Sequence, residues 1–490
     1  MPFTNATRLF NDYGFRYGLC DYSDQNTRIN IACSSRLGFS TAASRIWRTL
    51  ESIQPLLMLL DLTIGQPAAG VVKIILPRWN EGTFKRFQHY SSFVQSLTVS
   101  KQWKCPIYRH FRLDSWSTIS QEARRGPLLP NLRELIFLGE FVHEIEIALW
   151  ISVLTPQSLK VLAICPSNDS GFLSPSNVAT VFALLPQRCP RLQKLTHNLS
   201  VIARPFEEND LLPEILPEQV ATRQVLVPLL AQSHLQASRY LTYLSIGGHF
   251  VTVDTLTALS CLPELYELEI DQVLCHNRGL CTTFRECRLE ARAFPRLQQF
   301  TLASSNLEDF LAVWTLTPLV FDLTKIHLKY GSYNDYSRPP IYEEGLFGPL
   351  MLAIAAGSQQ IKDITIDTRP LNRPLLTDPE TTSWALMINF PLLYLRLHNL
   401  RAEPVFFSAA YNFWPGLLIL DLPSQQLTLD HLTYLSRLPE LQLLCAAGLK
   451  DILDPVPDVS TPAHSPLHTI KLTRLLTSRV HIKSAENVAR

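Results

Sequence analysis

The sequence lacks an excess of one charge and a long apolar run. Its 490 residues carry 44 basic and 43 acidic side chains, a formal net charge of +1. A protein that binds nucleic acid through bulk charge needs a basic excess, which is missing here. The longest weakly polar run, LFGPLMLAIAAG at 346–357, has 12 residues including a proline, too few to span a bilayer. We therefore expect no nucleic acid and no membrane among the partners.

Closely spaced cysteine pairs and enzyme motifs are missing as well. None of the ten cysteines stands in CxxC spacing, which favours buried thiols in an intracellular protein of the cytoplasm or nucleus. The sequence contains no phosphate loop, GxGxxG, HExxH or GxSxG. The segment CHNRGLCTTFREC brings together Cys275, His276, Cys281 and Cys287, but its spacing fits no standard zinc pattern. We expect no enzyme activity, no metal site and no cofactor.

The sequence does contain a repeated pattern with apolar residues at its first, fourth and sixth positions. A proline often stands two residues before the first leucine, as in LPNL, CPRL and FPRL. Successive copies start between 24 and 49 residues apart, and most of these intervals fit leucine-rich repeats of about 20–29 residues. The twelve copies are LRELIF at 132, LKVLAI at 159, LQKLTH at 192, LTYLSI at 241, LYELEI at 265, LQQFTL at 297, LTKIHL at 323, IKDITI at 361, LLYLRL at 392, LLILDL at 417, LQLLCA at 441 and LHTIKL at 467.

Each copy predicts one strand of a parallel sheet. Its fourth and sixth residues point to the same face, and a single strand cannot bury them alone. The segments TVDTLTALSCL (252–262) and TLDHLTYLSRL (428–438) resemble each other and predict helices on the return path. The expected fold is α/β: a leucine-rich-repeat solenoid with a curved parallel sheet and helices on the convex side.

The residues between the motif leucines should lie on the open face of this sheet. Charge of alternating sign on such a face is typical of selective protein recognition. The alternative is that these residues only keep the face hydrated. The candidate partner-binding residues, strand by strand, are Glu267, Glu269 and Asp271, then Lys325, His327 and Lys329, then Asp363 and Asp367, then Tyr394, Arg396 and His398.

The chain before the repeats has a different pattern. STAASRIWRTLESI (40–53) predicts a helix with one apolar face, formed by Ala43, Ile46, Trp47, Leu50 and Ile53. Residues 38–60 resemble the end of the F-box in fungal F-box/leucine-rich-repeat proteins, with IACSS, STAASRIW and LLMLL in the matching places. RFQHYSSFVQSLTV (86–99) resembles the segment that follows. The usual opening, Leu-Pro-x-Glu-Ile/Leu, is absent from residues 1–30, which show no helical periodicity.

The resemblance implies that the chain docks onto a Skp-family adaptor of a cullin ubiquitin ligase while the repeats hold a protein substrate. The adaptor contacts would then be Cys33, Ile46, Trp47 and Leu50. Two alternatives stay open: these residues form a helical cap on the solenoid, or the chain is a repeat scaffold with no ligase link. The expected segments are 1–30 (poorly defined), 31–65 (degenerate F-box-like helical region), 66–127 (connecting or capping segment), 128–475 (solenoid) and 476–490 (tail).

Overall fold

The structure is a computed structural model that falls into two compact units, residues 1–246 and 247–490. The division lies within the segment predicted as the solenoid. The model describes residues 13–60, 63–64, 71–75, 81–100, 102–105, 108–113, 116–138, 144–165, 175–197, 238–271, 280–304, 306–331, 347–368, 390–399, 404–449 and 469–472.

The first unit begins with three short helices, α1 (Tyr13–Tyr22), α2 (Gln25–Ser34) and α3 (Arg36–Ile46). Two of them lie in or reach into the segment 1–30, where the sequence pattern predicted none. Their starts are set by side chains: the Asp24 carboxylate accepts the N–H of Thr27 at 2.7 Å, and the Ser35 hydroxyl accepts the N–H of Gly38 at 2.9 Å. Such caps satisfy backbone donors that a helix leaves open.

The main sheet of the first unit is parallel, with neighbouring strands in the order β1-β4-β7-β8-β9-β10. A smaller mixed sheet, β2-β3-β6-β5, lies within the predicted connecting segment 66–127 except for its first strand. The strands are β1 (Thr49–Leu50), β2 (Thr63–Ile64), β3 (Val71–Ile75), β4 (Ser96–Ser100), β5 (Gln102–Cys105), β6 (Tyr108–Leu113), β7 (Glu134–Leu138), β8 (Val161–Cys165), β9 (Lys194–His197) and β10 (Tyr243–Gly247). The further helices are α4 (Gln54–Leu57), α5 (Glu81–Ser91), α6 (Trp116–Arg125), α7 (Glu144–Leu154) and α8 (Pro175–Arg188).

The second unit continues the same plan in sequence order, strand beside strand, all parallel. Its strands are β11 (Glu267–Asp271), β12 (Gln299–Ser304), β13 (Lys325–Tyr330), β14 (Asp363–Thr368), β15 (Tyr394–His398), β16 (Ile419–Leu427), β17 (Leu443–Leu449) and β18 (Thr469–Leu472). Its helices are α9 (Val253–Ser260), α10 (Leu280–Glu286), α11 (Leu307–Val313), α12 (Thr317–Val320), α13 (Phe347–Gly357), α14 (Pro404–Phe413) and α15 (Leu429–Leu435).

The predicted leucine-rich-repeat fold is confirmed, because each of the twelve motif copies forms one strand, from β7 to β18. A further copy was missed at 94–99, where Val94, Leu97 and Val99 take the three motif positions and are buried around β4. Valine replaces leucine at the first and last of these positions, so the copy does not stand out in a search for leucines. The two resembling segments at 252 and 428 form α9 and α15, each capped by its threonine.

One backbone contact recurs from repeat to repeat. The carbonyl at the second motif position accepts the N–H groups of the second and third motif positions in the next repeat. The Gln298 carbonyl, for example, accepts from Thr324 at 2.8 Å and Lys325 at 3.0 Å, and the Thr324 carbonyl accepts from Lys362 and Asp363. These paired bonds set the strand register at the point where each strand begins.

The motif side chains form the core between sheet and helices. In β11, Leu268 and Ile270 are fully buried while the residues between them are partly exposed, and the same alternation runs along β13 and β14. This alternation leaves the other face of the sheet open for polar side chains.

Candidate functional site

The open face of the second unit carries the charged residues that the sequence singled out. Strand register aligns their outward positions in three rows, and all eleven predicted residues lie on this face. We call the surface the charged face. Its rows are Glu267, Gln299, Lys325, Asp363 and Tyr394; Glu269, Thr301, His327, Thr365, Arg396 and Asp421; and Asp271, Ala303, Lys329, Asp367 and His398.

Neighbouring strands of the charged face pair charges of opposite sign. Lys325 Nζ lies 3.2 Å from Asp363 Oδ2, between β13 and β14. Arg396 Nε lies 3.1 Å from Asp421 Oδ2, between β15 and β16. Asp421 was missed at the sequence level, although it occupies the fifth position of the copy LLILDL and so had to face outward.

Two further contacts complete the pairing. The His398 ring nitrogen Nδ1 lies 2.8 Å from Asp367 Oδ1, between β15 and β14. Lys329 Nζ on β13 reaches Glu269 Oε1 on β11 at 2.9 Å, passing over β12. It can do so because β12 presents only small side chains there: Thr301 is 9% exposed and Ala303 1%. The alternating charges are therefore arranged as cross-strand pairs.

These pairs define a charge pattern more than they stabilise the fold. Their side chains are part-exposed, and exposed ion pairs contribute about 0–1 kcal/mol each. Pairs on neighbouring strands of one sheet nevertheless present charge at regular spacing, which is the kind of pattern that charged recognition surfaces use.

His327 lies in the middle row, flanked along its own strand by Lys325 and Lys329. Burial, with the nearby charge of Lys329, lowers its pKa to about 4, and the charges of Asp367 and Glu269 act in the opposite direction. Its Nε2 atom is buried, and within the described ranges no hydrogen-bond partner reaches it. At neutral pH the ring therefore carries no charge. Of the three basic side chains on the open face of β13, only Lys325 and Lys329 are then positively charged.

The open face of the first unit differs in chemistry. Its outward positions on β7 and β8 include Ile136, Leu138, Val161 and Ala163, and Leu138 is 42% exposed. These residues were not predicted as a surface from the sequence. The same alternation along the strands that predicted the charged face places them on the outside as well.

The residues predicted to contact an adaptor lie on or beside α2, α3 and β1. Cys33 is exposed on α2. Ile46 packs against the small core of Cys20, Ile31 and Ala42, and Trp47 packs on Tyr90 in a tilted arrangement with ring centroids 4.7 Å apart. Leu50 is 8% exposed and its strand pairs with β4. Three of the four thus take part in internal packing; adaptor binding itself stays a prediction.

The cysteine-rich segment is partly outside the described residues, which omit Cys275 and His276. Cys281 and Cys287 are buried, and burial raises the pKa of the Cys287 thiol. Among the residues that the structure describes, no three His, Cys, Asp or Glu side chains are grouped so that they could share a metal ion. In the same part of the chain, no helix has the length and apolarity to cross a membrane.

Comparisons with known proteins give a weak similarity of fold. No protein-family model and no curated protein matches the chain. An internalin from Listeria monocytogenes is 13% identical, with 79% of this chain and 89% of that chain covered and a TM-score of 0.31. The leucine-rich repeat-containing protein LegL7 from Legionella pneumophila is also 13% identical, over 64% of this chain and 97% of that chain, with a TM-score of 0.30.

A third similar structure is that of a TLR13–ssRNA13 complex, 14% identical over 79% of this chain but only 50% of that chain, with a TM-score of 0.39. At these identities and TM-scores the similarities carry no argument about partners. The fold assignment rests on the strand register described above.

Proposed function

We propose that the protein is an interaction scaffold that binds a protein partner on the charged face of its second unit. The observation that carries this proposal is the ladder of cross-strand ion pairs, which offers a partner fixed charges over β11 to β16. Tyr394 stands among these charges and is 40% exposed. Tyrosine and arginine are the residue types that most often dominate protein–protein binding energy, so we assign Tyr394 and Arg396 as the anchors.

A charge swap tests the proposal while keeping the ion pair. In the double variant Lys325→Asp with Asp363→Lys, the pair is retained but its direction on the surface is reversed. We expect the thermal midpoint to stay within about 3 °C of the parent, because an exposed pair contributes about 1 kcal/mol or less. Partners captured from lysate by the parent, then purified, should bind the variant at least about tenfold more weakly.

The matched control is a swap of another exposed pair in the same unit, Glu264→Arg with Arg296→Glu, which lies outside the charged face. This control should bind like the parent. Equal binding by the parent and the Lys325/Asp363 swap would overturn the assignment of the charged face.

We further propose that the N-terminal helices dock this scaffold onto a Skp-family adaptor, which would make it a substrate receptor of a cullin ubiquitin ligase. The support is the resemblance of residues 38–60 together with apolar side chains exposed on α1, α2 and α3, where Leu19 is 37%, Ile29 43% and Leu37 51% exposed. By the resemblance, Cys33, Ile46, Trp47 and Leu50 would border the adaptor. The alternative is a scaffold with no ligase link.

A pull-down with a purified Skp-family adaptor separates these alternatives. We expect the parent to retain the adaptor and the double variant Leu37→Ser with Ile29→Ser to bind it at least about tenfold more weakly. The serines remove apolar area that the complex would bury. Leu352→Ser, 50% exposed on α13 of the other unit, serves as the control. A folded parent that retains no adaptor would leave the scaffold without a ligase link and would not affect the charged face.

A further inference from the structure

Five aromatic side chains of the first unit form a continuous cluster between α3 and α5, which we call the ring patch: Phe39, Trp47, His89, Tyr90 and Phe93. Tyr90 is its centre, with ring centroids 4.7 Å from Trp47, 5.2 Å from His89 and 6.4 Å from Phe39. His89 also meets Phe93 at 5.2 Å. Phe39 is 40% exposed and His89 is exposed, while the other three rings are half-buried. The cluster is therefore part of the surface as well as a joint between helices.

Positive charge borders the ring patch on both helices. Arg36 stands three residues before Phe39 on α3, and Arg86 stands four residues before Tyr90 on α5, so each shares a helix face with a ring of the patch. Both arginines are exposed, and neither has an acidic partner among the described residues. Segments 36–48 and 81–91 together contain five basic residues, of which Lys85 pairs with Glu81 and Arg45 with Asp21. Arg36, Arg48 and Arg86 remain as positive charges beside the rings, in a chain whose net charge is only +1.

We infer that the ring patch is a docking surface for a short acidic peptide segment of a partner protein, one that carries an aromatic or aliphatic anchor between its carboxylates. The half-exposed rings offer apolar contact to the anchor. The guanidinium groups of Arg36 and Arg86 offer paired hydrogen bonds to carboxylates on either side. The surface is distinct from the charged face. It shares Trp47 with the residues proposed to border the adaptor, but the inference rests on the ring contacts and the two arginines and not on the ligase proposal.

The ring geometry favours a peptide over single-stranded nucleic acid. Bases bind by stacking on open ring faces. Here the rings meet one another mostly edge to face, with interplanar angles of 88° for Phe39 and Tyr90 and 77° for His89 and Tyr90. The rings therefore expose edges more than open faces, and ring edges suit contact with a peptide side chain better than stacking of a base. Two unpaired arginines are also few for a surface that must neutralise a run of phosphates.

Selection from a random dodecapeptide display library on the full-length protein tests the inference. We expect enriched peptides to carry at least two Asp or Glu residues within about three positions of a Phe, Trp or Leu. One enriched peptide, labelled with fluorescein, is then titrated by anisotropy at about 50 and about 300 mM salt. Its affinity should fall with salt, since charge pairing contributes.

Variants assign the binding to the patch. The double variant Arg36→Gln with Arg86→Gln should lower the affinity for the peptide about tenfold at low salt and reduce its salt dependence. Phe39→Ala should lower the affinity at both salt concentrations. Arg188→Gln with Arg191→Gln removes the same charge from exposed positions of the same unit and should bind like the parent, as should the Lys325/Asp363 swap. Circular dichroism confirms that each variant is folded.

Three results would overturn the inference. The enriched peptides could carry no excess of acidic residues, or their binding could be unchanged in the Arg36/Arg86 variant. A single-stranded oligonucleotide that binds more tightly than any selected peptide, and is lost in the same variants, would instead assign the patch to nucleic acid.

Discussion

Replacing Asp309 with alanine should lower the free energy of unfolding of the second unit by about 3 kcal/mol. Asp309 on α11 is fully buried. Its carboxylate accepts the hydroxyl of Ser304 at 2.6 Å and the backbone N–H of Cys281 at 2.7 Å. It thus ties the end of β12 to the start of α10, and alanine leaves these buried donors without an acceptor. Urea unfolding followed by circular dichroism measures the loss.

The pH dependence of the same site gives a second readout. Burial raises the pKa of Asp309, while hydrogen bonds from Ser304 and the N–H groups of Cys281 and Leu280 act to lower it. The folded carboxyl therefore holds its proton more tightly than the unfolded one. Its contribution is fully present below the ordinary pKa of 3.8 and is lost as the pH rises through the raised folded pKa.

The amide introduced by Asp309→Asn cannot titrate, so the destabilisation that this substitution causes, relative to the parent, should shrink as the pH rises above the ordinary pKa of 3.8. Glu308→Gln is the control, because Glu308 is exposed beside Asp309 and its nearest cation, Arg285, is 3.9 Å away. An Asp309→Ala variant as stable as this control would contradict the role given to the buried carboxylate.

Replacing Gly38 with valine should separate α2 from α3 and destabilise the three N-terminal helices by about 3 kcal/mol, at the upper end of the usual cost of overpacking. A Cβ at Gly38 would lie 2.3 Å from the backbone oxygen of Ile31. Backbone cannot move aside as a flexible side chain can, so the helices themselves must shift. Hydrogen exchange over residues 13–46 measures this local loss.

Gly18→Ala is the matched control for Gly38→Val, since a Cβ at Gly18 meets nothing within 4 Å. Gly18 lies in α1, and alanine there should be neutral or stabilising by up to about 1 kcal/mol. Hydrogen exchange over residues 13–46 could be equally slow in the Gly38→Val and Gly18→Ala variants. In that case the close approach of α2 and α3 would not be required for stability.

The repeats could be predicted from the sequence because their signal is local and recurs. A motif with a period of two fixes which residues are buried, and every copy found in this way forms a strand. The copy around Leu97 was not recognised because valines occupy two of its three apolar motif positions. Of the N-terminal helices, α1 and α2 were not predicted, because the cap at Asp24 and the close packing at Gly38 specify this region while its apolar periodicity is weak. The helix predicted over 40–53 was wrong in its bounds: α3 begins at Arg36 and ends at Ile46, and Leu50 pairs in β1 instead.

The candidate surface could be predicted in part. Strand alternation was enough to place Glu269, Lys329 and Asp421 on the outside, although Asp421 was overlooked. The pairing between them could not be derived, because it depends on which strands lie side by side and how large the intervening side chains are. Lys329 and Glu269 are 60 residues apart and meet over a strand of small residues. The ring patch likewise joins helices separated by more than thirty residues of sequence.

The shared carbonyl at the start of each strand has a consequence for how such a chain can change in length. Because each strand is aligned by its first residues, the connection that leaves its far end does not determine the alignment of the next strand. Strands β9 and β10 illustrate this: 45 residues separate His197 from Tyr243, yet Lys194 still pairs with Tyr243 in the same register as the shorter repeats. New segments can therefore enter between repeats while every outward residue keeps its place, so that loops and binding surface are free to diversify independently.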